Sequence, residues 1–125
     1  MFDDAEAIFS YSRKQAIEDG VLIDVTATAK EAGVRFPVAL TAAAWARCVA
    51  VPPGVEGQDE AGRLWDVLAM FRLAARRMEG DRLTFGVHVR NDNRGRTPPL
   101  VRLKAVCGSG DDGAPVVTIM TPDED

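Results

Sequence analysis

The chain has 125 residues, 46% hydrophobic and 27% charged, with a net charge of −4. That is the size of one ordinary domain, able to bury a sizeable core, and it is too apolar for a disordered segment. No run reaches the ~18 apolar residues of a membrane span, because the longest candidate, 36–51, is interrupted by Pro37, Thr41 and Arg47.

The opening MFDDAEAIF is acidic where an export signal is basic, so a cytoplasmic protein without membrane contact is expected. Ile8 and Phe9 form an apolar pair placed to tuck against the core. Ser12, followed three residues later by Gln15, has the capping-box pattern, with Ser10 as the other candidate cap; a short helix is predicted over 12–19, ended by Gly20. VLIDV at 21–25 is β-branched and short enough for a strand. Thr26 or Thr28 then caps a second short helix through Ala32, stopped by Gly33, and Thr28-Ala-Lys-Glu31 repeats the capping box.

Residues 34–37 must be extended, since Pro37 biases Phe36 away from the α region. Thr41 is a good N-cap for TAAAWARCVAV, a helix stopped by Pro52-Pro53, with Trp45 and Val49 marking its buried edge. The stretch 52–62 reads as the main surface loop, with Asp59 positioned to cap the next helix.

The segment 63–78, RLWDVLAMFRLAARRM, is the best-patterned in the chain. At 100° per residue Leu64, Val67, Leu68, Phe71, Ala74, Ala75 and Met78 fall within an arc of about 120°, a core face, and the helix is predicted to run to Glu79 before Gly80. Trp65, Arg72 and Arg76 form a column on the opposite side, with Met70 and Leu73 also off the stripe. A helix apolar on more than one side needs a second layer of its own domain or a partner.

The last third changes period. LTFGVHV at 83–89 and VRLKAVC at 101–107 alternate, APVVTIM at 114–120 supplies a third strand, and 91–99 is a long polar connection. GSGDDG at 108–113 carries the Asp-Gly signal of a hairpin turn, in which Gly113 is needed for the turn and Asp111 is expendable. The expected architecture is a single α+β domain over 1–125. It has an antiparallel sheet of three to four strands with one wet face, packed on the other by the long helix and the shorter N-terminal helices.

Catalysis finds little support. His88, the one histidine, falls on the polar face of a predicted strand, and no Ser-His-Asp or Cys-His set can be assembled around it. Cys48 and Cys107 belong to no metal or redox spacing and read as small buried hydrophobes. GSGDDG lacks the Lys and Ser/Thr of a phosphate loop and the oxygen alternation of a calcium loop. The carboxylate pairs Glu18-Asp19, Asp59-Glu60 and the terminal Asp123-Glu124-Asp125 lack apolar surroundings that would raise a pKa. No enzyme activity, metal or cofactor is expected.

Charge is distributed unevenly: 1–62 hold five basic and ten acidic side chains, 63–104 ten and four, and 105–125 none and five. The basic island is either neutralised by the acidic ends or presented to an anionic partner. Arg90, Arg94, Arg96, Arg102 and Lys104 could form a strip for nucleic acid, although aromatic residues to stack bases are missing there.

Three blocks, IFSYSRKQAIEDGVLIDVTATAKEAGVRFPVALT, GRLWDVLAM and LKAVCGSGDDGAPVVTIMTPDED, resemble a family of small uncharacterised proteins encoded largely on bacterial plasmids, phages and other mobile elements. The resemblance spans nearly the whole chain and implies an accessory role for mobile DNA, including one against host defence; it supplies no catalytic residue. The leading expectation is therefore a non-enzymatic interaction protein using Trp65, Arg72 and Arg76 toward an unidentified protein partner. A homodimer contact is the other use of that helix face. The alternative is a nucleic-acid-binding accessory protein using 90–104.

Overall fold

A computed structural model describes residues 11–124; Ile8, Phe9 and the candidate cap Ser10 lie outside them. The elements are α1 (Arg13–Glu18), β1 (Leu22–Asp24), α2 (Thr26–Glu31), β2 (Val38–Thr41), α3 (Ala42–Cys48), α4 (Glu60–Ala75), β3 (Arg82–His88), β4 (Leu100–Ser109) and β5 (Pro115–Met120). Among the described residues no helix is long and apolar enough to cross a membrane.

All five strands join one sheet in the order β1-β2-β5-β4-β3. The α+β class agrees with expectation, but the sheet is mixed and has five strands, not an antiparallel sheet of three to four. The pairs β1–β2, β4–β5 and β3–β4 are antiparallel, whereas β2 runs parallel to β5 with Val38 opposite Val117 and Leu40 opposite Ile119. The overlooked strand is β2. Its Val38, Ala39 and Leu40 are all buried, so it lacks the alternation that exposes a strand in sequence, as central strands covered on both faces do.

Several local signals act as read. Ser12 accepts the N–H of Gln15 at 3.0 Å, Thr41 that of Ala44 at 3.1 Å, and Asp59 that of Gly62 at 2.6 Å, so α1, α3 and α4 each begin on a side-chain cap. The second capping box does not form. Helix α2 opens at Thr26 behind Val25, which offers no side-chain cap, and Thr28 sits inside the helix. Thr26 instead donates to the Asp24 carboxylate and accepts the Val38 N–H at 3.1 Å, tying the start of α2 to β2. Helix α4 ends at Ala75, four residues short of expectation; Arg77 and Met78 donate three residues back, to Ala74 and Ala75, in a tightened last turn.

The main core lies between α4 and one sheet face. Leu64, Val67, Leu68 and Phe71 join Phe85, Val87, Leu103, Ala105, Val117 and Ile119 in one cluster, to which α2 and α3 add Ala29, Ala44 and Cys48. Phe71 and Phe85 meet with ring centroids 5.9 Å apart and tilted 59°, an arrangement that adds roughly 0.5–1.5 kcal/mol to simple burial. The other face is only partly wet. Helix α1 lies there, with Ala16 buried, and Ala39, Val116 and Met120 are buried outside the main cluster. The β3–β4 portion of that face exposes Arg82, Thr84, His88 and Arg102.

Candidate functional site

Helix α4 turns its inner arc to the core and leaves Trp65 44%, Met70 39% and Leu73 55% exposed. Trp65 is therefore neither buried in the core nor fully in water. The column it was expected to form with the two arginines divides between two flanks. Arg72 lies across Gly33 so closely that a Cβ there would come within 2.7 Å of its Nε, and Gly33 holds a φ of +93°. Arg76 belongs to the opposite flank, a cleft of about 440 Å³ that it lines with Met70, Leu73, Arg77, Thr84 and Gly86. Met70, Leu73 and Arg76 thus share one exposed flank, and Trp65, about 140° around the helix from Met70, is exposed apart from them.

The basic strip is divided as well. Arg90 turns its guanidinium into its own loop, donating to the carbonyls of Arg94 at 3.0 Å and Arg96 at 2.9 Å. Lys104 donates to the Glu124 carbonyl. Arg94, Arg96 and Arg102 stay exposed, the first two on the 91–99 connection and Arg102 on the outer face of β4.

Arg63, not singled out by the helix pattern, is only 4% exposed. Its Nε donates to the Cys48 carbonyl at 3.0 Å, one Nη to the Arg90 carbonyl at 2.5 Å and the other to Asn91 Oδ1 at 2.7 Å. One side chain joins the end of α3, the start of α4 and the turn after β3. Asn91 and Asn93 extend this junction to the carbonyls of Arg47 at 3.0 Å and Gly54 at 2.9 Å, so the two polar loops brace each other. The signal was present: Arg63 sits one turn before Val67, at the margin of the apolar arc.

Asp111 does more than stand in the hairpin turn. Its two carboxylate oxygens accept the N–H of Arg13 at 2.8 Å and of Lys14 at 2.9 Å, the free donors of the first turn of α1. Arg13 in turn bonds Thr118 Oγ1 at 2.7 Å and the Val117 carbonyl at 2.8 Å, pinning α1 to β5. The hairpin turn itself forms as read, with Gly113 at φ +85°. The Lys14 and Arg13 amides hold the Asp111 carboxyl below its ordinary value of 3.8. Because the folded-state pKa is depressed, this stabilisation is present above the ordinary carboxylate range and is lost as pH falls through the folded value. Asp111→Asn turns an amide NH₂ toward one of those N–H groups. It is expected to melt below wild type at pH 7, with the difference closing as pH is lowered through the carboxylate range; a difference independent of pH would remove this role.

The terminal carboxylates also depart from expectation at Glu124. Its Oε2 accepts from Thr41 Oγ1 at 2.8 Å, the Thr121 amide at 2.7 Å and Thr121 Oγ1 at 2.9 Å. Among titratable groups with chemical potential, His88 Nδ1 is 2.8 Å from the Pro98 carbonyl, which assigns the proton to that nitrogen. Cys48 is buried and burial pushes its thiol up to about 11, while Cys107 is half-buried. Among the described residues no cluster of three or more His, Cys, Asp or Glu side chains could hold a metal ion.

A family model described as a family of unknown function, DUF6573, matches residues 1–125. The chain belongs to this family. No curated protein and no solved structure matches it. Membership agrees with the expectation of an uncharacterised family and assigns no activity, so any role rests on the geometry just described.

Proposed function

We propose that this protein acts by binding, as an accessory protein that docks a protein partner on the outward face of α4. The observation that carries the reading is the exposure of Trp65, Met70 and Leu73 on one helix whose inner arc supplies Leu64, Val67, Leu68 and Phe71 to the core. Large apolar side chains scattered singly are ordinary on a surface; three exposed along one helix, with Arg76 beside Met70 and Leu73, have the composition of a binding hot spot. Arg72, folded over Gly33, contributes less to this face than the helical spacing implied. The resemblance to proteins of plasmids and phages supports a host protein, one of the host's defence, as the partner.

The charges of the same helix favour a second reading, a twofold contact between copies. Asp59, Glu60 and Asp66 occupy the first half and Arg72, Arg76 and Arg77 the second, so an antiparallel pair of α4 helices would set acidic against basic. Truncating a central aromatic anchor typically costs at least ~2 kcal/mol of binding, about 30-fold in affinity. Trp65→Ala is expected to lose that much toward the host partner in a quantitative pull-down while its melting temperature stays near wild type, since the side chain is half in water. Light scattering separates the two readings, and a variant that keeps both its partners and its oligomeric state would remove this face from consideration.

A further inference from the structure

On the flank where Arg72 lies, α4 does not close onto the sheet. A cavity of about 300 Å³ remains between the second half of α4, the 33–36 segment and strands β4 and β5. Close-packed interiors hold few voids larger than a water molecule, and a space this large at the edge of a core is at the lower end of small-molecule sites. Phe36, Phe71, Ala75, Met78 and Val117 supply its apolar walls. The charged side chains lining it are Arg35 and Arg72, and no carboxylate lines it. The Arg72 guanidinium packs over Gly33, where no side chain displaces it, and both arginines are exposed residues of the cavity lining. Phe36, 46% exposed, stands beside them as an apolar rim.

An apolar chamber with two exposed cationic forks in its lining selects for a molecule with an apolar body and one anionic end. A guanidinium pairs with a carboxylate through two parallel N–H···O bonds, and its own charge remains in water when the site is empty. We propose that this cavity binds a free medium-chain fatty acid, with the hydrocarbon tail against Phe71, Met78 and Val117 and the carboxylate between Arg35 and Arg72. The site lies apart from the Trp65 surface, so it stands or falls independently of the protein-docking reading.

Cys107 gives the experiment a reporter, because its half-buried thiol lines the cavity while Cys48 is buried with its thiol raised to about 11 and stays silent to a mild alkylating reagent. The full-length protein would be titrated by calorimetry with hexanoate, octanoate, decanoate and dodecanoate below their micelle concentrations, and iodoacetamide labelling of Cys107 followed in parallel. Each added methylene should tighten binding about fourfold until the cavity is full, and bound decanoate should slow labelling. Arg72→Gln should weaken decanoate about tenfold while leaving decanol unchanged, and Trp65→Ala should bind decanoate as wild type does. Ala75→Phe, which places a ring in the chamber, should abolish the chain-length dependence. Absence of binding, an affinity independent of chain length, unprotected Cys107, or an Arg72→Gln variant equal to wild type would each overturn the proposal.

Discussion

Arg63→Met is expected to cost the fold about 3 kcal/mol, which for a chain of this length lowers the melting temperature by roughly 12 °C. The guanidinium is the common donor to three acceptors on two segments: the Cys48 carbonyl closing α3, and the Arg90 carbonyl and Asn91 side chain of the turn after β3. Hydrogen bonds to a charged group contribute roughly 1.5–3 kcal/mol each, and removing the donor leaves the Cys48 carbonyl without it in a buried position and the other two partners half in water. Part of this is offset, because burial disfavours the charged form of Arg63 and methionine ends that penalty. The loss should also be local. Amide exchange should accelerate first over 90–94 and 54–56, whose hydrogen bonds radiate from the same junction, before it does in β4 and β5. Arg63→Lys should recover little, since one ammonium on a flexible stem cannot meet three acceptors placed around a planar fork. A melting temperature within about 4 °C of wild type for Arg63→Met would mean that packing of α4, not this junction, holds the loops.

Arg63 also marks where reading the sequence stops short. The arc of Leu64, Val67, Leu68 and Phe71 was legible because a helix repeats its pattern every turn, and the strands after it because Phe85-Gly-Val87 and Leu103-Lys-Ala105 alternate. Caps were legible where the donor lies three residues from its acceptor, as at Ser12, Thr41 and Asp59. Interactions that close over long separations leave no such spacing. Asp111 caps a helix about a hundred residues earlier in the chain, and Glu124 reaches Thr41 across 83 positions. A turn aspartate and a terminal glutamate look the same in sequence whether they face water or another element. The candidate surface was legible in the same partial way: helical spacing placed Trp65 opposite the core, but only the packing of Gly33 shows that Arg72 leaves that column for the cavity.

The strand β2 is the largest feature the pattern concealed, and it yields the second large effect expected. Leu40→Ala should destabilise by about 3 kcal/mol, within the 2–5 kcal/mol of buried large-to-small substitutions. Leu40 is fully buried; it stands opposite Ile23 on β1 and Ile119 on β5, so it fills the seam where the antiparallel β1–β2 pair meets the parallel β2–β5 pair. Collapse around a shortened side chain is hindered there, because strands on both sides fix the backbone and the void must stay largely open. Had the extended chain that Pro37 implies over 34–37 simply continued to Thr41 as a loose tether, Leu40 and Phe36 would be equivalent apolar residues on one segment. Phe36→Ala, at a position nearly half exposed on the rim of the cavity, is therefore the internal control and should cost under about 1 kcal/mol. Denaturant melts of the two variants decide between the descriptions: a threefold or greater ratio of their costs places β2 in the centre of the sheet, whereas equal costs would return the segment to the surface and with it the parallel pairing to β5.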